Sequence, residues 1–499
     1  MIWISSEQGC WVIFAKLWFW ERVCMSDTLE KGDIADRLLA DEPALLSSLD
    51  FGPLVAQGSG AGPSLLIGDP SEISLMRSAR NSFLDHRMAH LAKPGDVVLV
   101  RKRDPRFEIY LKDFRGLDGI TFLEADTASA DPVAKQAFTS EPLLKKLADV
   151  AKQHGGLTIT SYLTTGTIWH LAQCIAARAG CVVHVNGPAP RISARVNDKL
   201  WFAQLVKAVI GTCAVPPTMS AFGPKAAAAQ ILHLSKHGEQ VIVKVPDSAG
   251  SAGNIRLDRD TLATLTAAQV EALLMDRLHS TGWDDSYPIL VGVWDSHVTC
   301  SPSVQLWIPL NGEGAPEAHG VFEQRVFGAA AAFVGATRST LPEEVQDILV
   351  TQALQISHVL QRLGYYGRCS FDAVLCAGDP VSIHWIECNG RWSGVSIPLA
   401  ILNSLDTEHV SEGMMIIQEK IPGGPIETAQ AIRALRGLLY RGKPFEGGSI
   451  LLSPPGNADA SSANVLSFAG TQCEVALLGQ KVLDALRGIA LTHPVRQGS

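Results

Sequence analysis

The chain has 499 residues, more than one hydrophobic core usually serves, so two to four domains or subdomains are expected. Charged residues make up 18% and hydrophobic ones 46%, an ordinary globular composition, and a net charge of −8 without a Lys/Arg block argues against a nucleic-acid partner. The ten cysteines are scattered with no CxxC pair or metal-ligand spacing, which reads as reduced thiols in a cytoplasmic protein.

Residues 10–20 are aromatic and apolar, but the stretch is too short for a membrane span and lacks the basic flank and cleavage site of a signal peptide. No membrane association is expected. Met25 opens MSDTLEKGD, which looks like a natural start, so residues 1–24 read as an over-extended start or a disordered leader. A polar helix is expected over 33–49. The glycines Gly58, Gly60 and Gly62 come before the nearest strand, so they read as a flexible linker and not as a dinucleotide loop. Leader and linker together span 1–62.

From Pro63 apolar runs at 64–69, 96–102, 119–125, 157–165 and 181–188 alternate with helical stretches, which predicts a mostly parallel sheet covered on both faces. Thr164, Thr165 and Gly166 make a polar strand-to-helix turn that suits a ligand or a helix cap equally well. Asp198 is a candidate N-cap for a helix with Lys199 in its first turn, ending near Gly211. A second helix is expected over 223–238. His233 and His237 lie there at i, i+4 spacing, but no third ligand is apparent, so a solvated helix face is the preferred reading.

Residues 240–246 form a strand with Lys244 near its end, followed by DSAGSAGN. Ser248, Gly250, Ser251, Gly253 and Asn254 supply small side chains, free N–H groups and hydroxyls that can close over a polyphosphate. No GK[ST] follows, so this is not a Walker loop; the competing reading is a mobile hairpin loop, and Lys244 immediately upstream favours phosphate. Strand 289–295 can offer backbone groups to a purine edge; it ends in Trp294 and Asp295. Strand 301–310 alternates, and an amphipathic helix over 341–364 is capped by Gly364. A hairpin turning at 378–380 follows. Glu387 and Asn389, two apart, share a strand face, and the partner strand brings Asp372 alongside. Three oxygen-bearing side chains suit Mg²⁺. Arg391, in the turn with Ser393 and Gly394, can hold a phosphate. Residues 411–420 read as helical, 422–425 as a Gly/Pro break, 448–455 as a strand and 476–487 as a helix.

Together these residues resemble the ATP-grasp superfamily over about 197–398, and the βα region before them looks like its pre-ATP-grasp domain. The resemblance implies an α/β protein, α+β in its ATP-grasp part. A Rossmann-like pre-ATP-grasp domain (63–195) would precede a two-lobed ATP-grasp domain (196–420) and a small C-terminal subdomain (421–499). It implies ATP and Mg²⁺ as cofactors. Lys199, Lys244, the flap residues Ser248, Gly250, Ser251, Gly253 and Asn254, and Trp294 with Asp295 would hold the nucleotide. Asp372, Glu387 and Asn389 would hold the metal, and Arg391 and Ser393 would be catalytic. Within the superfamily, VIVKVPDSAGSAGN, SPSVQ and IECNGRWSG look most like the pheganomycin-type peptide ligases of natural-product biosynthesis. The implied reaction joins a small carboxylate to an amine or short peptide through an acylphosphate, releasing ADP and phosphate. A thiol or hydroxyl acceptor, or a non-catalytic nucleotide-binding protein, are the alternatives. Oligomeric state is left open, a homodimer being compatible. Two features depart from the family pattern. Ser370 stands where many members carry an Arg two residues before the metal-binding Asp, which throws its role onto Arg391, and no acidic residue matches the one that grips the ribose in the family, Asp295 being the nearest.

Overall fold

A computed structural model gives the fold and describes residues 31–46, 51–76, 83–246, 248, 253–295, 297–328, 332–378, 381–405, 412–442, 447–456 and 461–492. The leader expected over 1–24, the flap residues Gly250 and Ser251 and the hairpin tip at 379–380 lie outside them. The polar helix runs Lys31–Asp41. Among the described residues no helix is long and apolar enough to cross a membrane, and the eight cysteines are free thiols.

The first sheet is parallel, with strands β1 (Val55–Gln57), β2 (Ser64–Ile67), β3 (Val97–Val100), β4 (Thr121–Glu124), β5 (Leu157–Ser161) and β6 (Val183–Val185), in the order β1-β6-β5-β2-β3-β4. The inner strand β3 (VVLV) is apolar and buried throughout because both faces are covered, whereas the edge strands β1 and β4 are only partly buried. Leu65 and Ile67 pack with Ile168 and Leu171, while Leu66 and Val98 pack with Phe107 and Tyr110. β2 to β6 fall within the expected runs. β1 corrects the linker reading, because its backbone pairs with β6. The glycines after it are fixed by close packing. A Cβ on Gly62 (φ +91) would lie 2.1 Å from the Gly156 carbonyl oxygen.

The second sheet is antiparallel, with β7 (Thr218–Ala221), β8 (Gln240–Lys244), β9 (Asn254–Asp258) and β10 (Ile289–Val293) in the order β7-β10-β8-β9. Helices Pro224–Leu234 and Ala267–Ser280 cover one face through Ile231 and Leu274. His233 and His237 are exposed, in keeping with a solvated face.

The third sheet has nine strands: β11 (Val298–Cys300), β12 (Pro302–Ile308), β13 (Glu317–Phe327), β14 (Ala332–Arg338), β15 (Gly367–Cys376), β16 (Ser382–Asn389), β17 (Gly413–Ile421), β18 (Gly448–Leu451) and β19 (Ser461–Ala469). Their order is β11-β15-β12-β13-β14-β17-β19-β18, with β16 paired to β15. Helices Lys199–Val209 and Glu343–Arg362 pack on it through Phe202, Leu349 and Ile356. Two expectations are corrected here. The stretch expected to be helical over 411–420 is β17, hydrogen-bonded between β14 and β19. A short apolar run such as MMII fits a buried strand or a buried helix equally, and pairing decides. The C-terminal strands do not stand apart either, since β18 and β19 extend the same sheet. Leu451 ties them to the first domain. Its N–H donates to the Tyr110 hydroxyl at 2.9 Å, and its carbonyl lies 3.1 Å from His90 Nε2.

Candidate nucleotide and metal site

The β15–β16 hairpin sets Asp372 opposite Glu387 and Ser370 opposite Asn389, with a register shift after Asp372. Such a bulge re-aims the side chains beside it. Asp372, Glu387 and Asn389 line one cavity of about 240 Å³, together with Ser303, Gln324 and Arg391. Asp372 is 8% exposed. Its Oδ1 accepts from Ser303 Oγ at 2.6 Å and its Oδ2 from Asn389 Nδ2 at 2.9 Å. Burial, then the Glu387 charge, push the Asp372 carboxyl up to about 7. Glu387 goes the other way. Against the burial that would raise it, Lys199, then Arg391 and Lys244, hold it below the usual carboxylate range. The site holds two carboxylates, of which Asp372 is hindered from ionising first by burial and then by the Glu387 charge, while the Asn389 amide turns Nδ2 to Asp372 and Oδ1 to Arg391. A hard divalent cation fits such a site because it favours both ionised forms.

Asp198 caps the helix Lys199–Val209 as expected, accepting from the Leu200 and Trp201 N–H groups at 2.8 and 3.3 Å. Lys199 is thereby held at the helix start, 7% exposed, with Nζ 3.0 Å from Glu387 Oε2. It also donates to the carbonyls of Pro246 (3.3 Å) and Ser248 at the flap base. Lys244 ends β8, paired across to Asn254. Burial lowers its ammonium pKa to about 8, with Glu387 opposing and Lys199 reinforcing the shift. Both lysines line a second cavity of about 400 Å³ between the second and third sheets, walled by Thr218, Leu290 and Ile386.

The described part of the flap is closely packed. Ser248 Oγ donates to the Val245 carbonyl at 2.9 Å, and its backbone bridges to Ser74 of the first domain. A Cβ on Gly253 would come within 2.9 Å of Ser248 Oγ and of Val245 Cβ. Asn254 Oδ1 is buried without a hydrogen-bond partner among the described residues. Trp294 follows β10, with the Arg256 guanidinium 4.3 Å over its ring. Asp295 Oδ2 lies 2.9 Å from His384 Nδ1, so the acid expected at the ribose is engaged by β16. The side-chain O, S and N atoms that Asp295, Cys376 and His384 could offer a metal lie within 4.8 Å of one another.

Arg391 donates from Nη2 to Asn389 Oδ1 at 2.6 Å and from Nη1 to Asn197 Oδ1. Asn197 also accepts from the Gly390 N–H at 3.1 Å and so clamps the turn. The Ser393 hydroxyl shapes the same turn. It donates to Gln305 Oε1 at 3.2 Å and accepts from the Val395 and Ser396 N–H groups at 3.2 and 3.0 Å. Ser370 is buried at 1% exposure, and Arg368 lies instead between Trp307 and Trp392, 5.5 and 5.1 Å from their rings. In the turn Thr164–Gly166, Thr165 is the N-cap residue of the helix Gly166–Ala179 but makes no side-chain cap bond. The hydroxyls of Thr165 and Thr167 both donate to the Glu72 carboxylate, at 2.8 and 2.7 Å. Sequence reasoning missed Asn197, Ser303, Gln305, Gln324 and His384. Only Ser303 and Gln305 carried a signal, as alternate residues of the motif SPSVQ.

A family model described as the pre-ATP-grasp domain matches residues 85–177. No curated protein sequence matches the chain. Among solved structures, biotin carboxylase of Campylobacter jejuni, solved as a beta-gamma-ATP complex, is similar with TM-score 0.51 and 12% identity, over 85% of this chain and 91% of that one. N5-carboxyaminoimidazole ribonucleotide synthetase of Thermus thermophilus is similar with TM-score 0.50 and 10% identity, over 85% of this chain and 98% of that one. Pyruvate carboxylase of Rhizobium etli gives TM-score 0.50 and 12% identity, over 88% of this chain but 40% of that one. The chain therefore shares the α/β fold of these enzymes, in which a parallel-sheet pre-ATP-grasp domain leads into the antiparallel sheets of an ATP-grasp fold.

Proposed function

We propose that the protein is an ATP-dependent carboxylate–amine ligase that forms an amide or peptide bond and releases ADP and phosphate. The observation that carries this reading is one of convergence. Asp372, Glu387 and Asn389 share a cavity wall with Arg391, and Glu387 is ion-paired to Lys199 beside Lys244. A carboxylate resists amine attack because oxide is a poor leaving group. Transfer of the γ-phosphoryl group of ATP to the carboxylate gives an acylphosphate and ADP. The amine then forms the C–N bond as phosphate leaves with the C–O electron pair. Positioning and charge neutralisation dominate such chemistry. Mg²⁺, held by Asp372, Glu387 and Asn389, would neutralise phosphate charge. Lys199 and Lys244 would bind the nucleotide phosphates from the 400 Å³ cavity, Lys199 exchanging its carbonyl partners for phosphate oxygens. The Gly/Ser flap would exclude water from the acylphosphate. Arg391 is the catalytic cation for the transferring group, and Ser393 positions it by fixing the turn.

The ATP requirement is supported by the beta-gamma-ATP complex of the similar biotin carboxylase. The pheganomycin-type motifs favour a small carboxylate donor and an amine or short-peptide acceptor. The test is an ADP-release screen with amino acids and short peptides. Glu387→Gln should abolish release while thermal unfolding shows an intact fold. Near-wild-type release by that variant would remove the metal assignment, and no release from any wild-type mixture would remove the ligase reading.

A further inference from the structure

Arg87 lies on the 3₁₀ helix Leu84–Leu91, whose residues Leu84 to His90 are all buried. Its side chain belongs to a residue only 4% exposed, yet among the described residues no carboxylate pairs with it. The nearby Asp85 is engaged elsewhere, by the His86 ring at 3.1 Å and the Arg101 N–H at 2.7 Å. Arg87 is held by neutral groups. Nε donates to the Leu84 carbonyl at 3.2 Å, Nη1 reaches Gln418 Oε1 at 3.4 Å, and the guanidinium lies 5.3 Å over the Tyr162 ring. These contacts orient the fork and leave Nη2 without a partner among the described residues.

A desolvated charge is costly unless an anion meets it, and a planar guanidinium fits a carboxylate with two parallel bonds. Arg87 lines the cavity of about 240 Å³ that also holds Glu387 and Arg391, with Ile73, Leu84 and Phe333 as apolar wall. Lys199 and Lys244 line the separate, larger cavity, so the nucleotide phosphates already have their cations. The volume falls below the roughly 300–1,000 Å³ of drug-sized sites, which suits an amino-acid-sized group.

We propose that Arg87, set by Tyr162 and Gln418, anchors a second substrate carboxylate, distinct from the one activated beside Arg391. The substrate that bears it is an amino acid or short peptide with a free carboxylate and an apolar side chain directed at Ile73, Leu84 and Phe333. This deepens the ligase reading and rests on it for the roles of the two carboxylates.

Calorimetric titration of the whole protein with L-leucine and with L-leucinamide, in the presence of a non-hydrolysable ATP analogue, reads the site directly. Leucine is expected to bind about ten- to a hundredfold more tightly, the range for one charge-assisted hydrogen-bonding pair. Arg87→Met should erase that preference, and Arg87→Lys, which keeps the charge but loses the fork, should retain part of it. Equal affinities in the wild type overturn the proposal, as does a preference that persists in a folded Arg87→Met protein. Failure of glycine, leucine, phenylalanine and their dipeptides all to bind also overturns it. ADP-release assays then locate the carboxylate. Amidating the acceptor, or using a donor with a single carboxylate, removes the Arg87-dependent effect on KM from one substrate only. Acid-selective binding through Arg87 without ADP release from any mixture leaves the anchor standing and removes the ligase reading. ADP release with acid selectivity unchanged in Arg87→Met does the reverse.

Discussion

Replacing Arg391 tests its proposed catalytic role separately from folding. Its guanidinium spans two amide oxygens, Asn389 Oδ1 at 2.6 Å and Asn197 Oδ1, so it links β16 to the segment preceding the Lys199 helix. Arg391→Met deletes both bonds. Hydrogen bonds from a charged donor are worth about 1.5–3 kcal/mol each when buried, but Arg391 is partly exposed and water replaces part of the loss. The stability cost is therefore about 1–2 kcal/mol. Removing a preorganised cation from a developing charge costs more, about 10²–10³ in kcat. Arg391→Lys keeps the charge but cannot span both oxygens, so it should fall between Met and wild type. The assay is steady-state ADP release with kcat and KM for ATP resolved, alongside thermal unfolding. A kcat within about threefold of wild type in Arg391→Met, in folded protein, would refute the assignment.

Two further outcomes follow from the geometry. Lys244 carries its charge below about pH 8 and loses it above, because burial depresses its pKa, so wild-type ATP affinity should fall about tenfold between pH 7 and 9. Lys244→Ala should bind ATP more weakly at pH 7 with a flatter pH profile, and an ATP dissociation constant at pH 7 unchanged from wild type would rule out its phosphate role. Gly335 sits in β14 at φ +145, where a Cβ would lie 2.0 Å from the Ile416 carbonyl oxygen of β17. Gly335→Ala should lose about 2–4 kcal/mol of stability. A melting temperature within a degree of wild type would show that the strands separate at no cost.

What could be read from the chain alone was local. The β15–β16 hairpin, with Asp372 facing Glu387, follows from two-residue alternation around a turn. The placement of Lys199 follows from the Asp198 cap, and the buried strands β2 and β3 follow from their apolar runs. Periodicity tells which face of an element is buried; it does not name the partner that buries it. Everything missed depended on partners. β17 looked helical because only β14 and β19, on either side, decide that an apolar run extends. Asn197 meets Arg391 across a separation of 194 residues, and Arg87 meets Gln418 across 331. His384 meets Asp295 across 89. The residue types of the proposed site, carboxylates, an amide and lysines around a glycine-rich loop, were thus determined by the sequence itself. Which cation neutralises which carboxylate, and which buried guanidinium is left facing a cavity, only the closing of three sheets on one another decided. Those pairings are long-range contacts that no local pattern encodes.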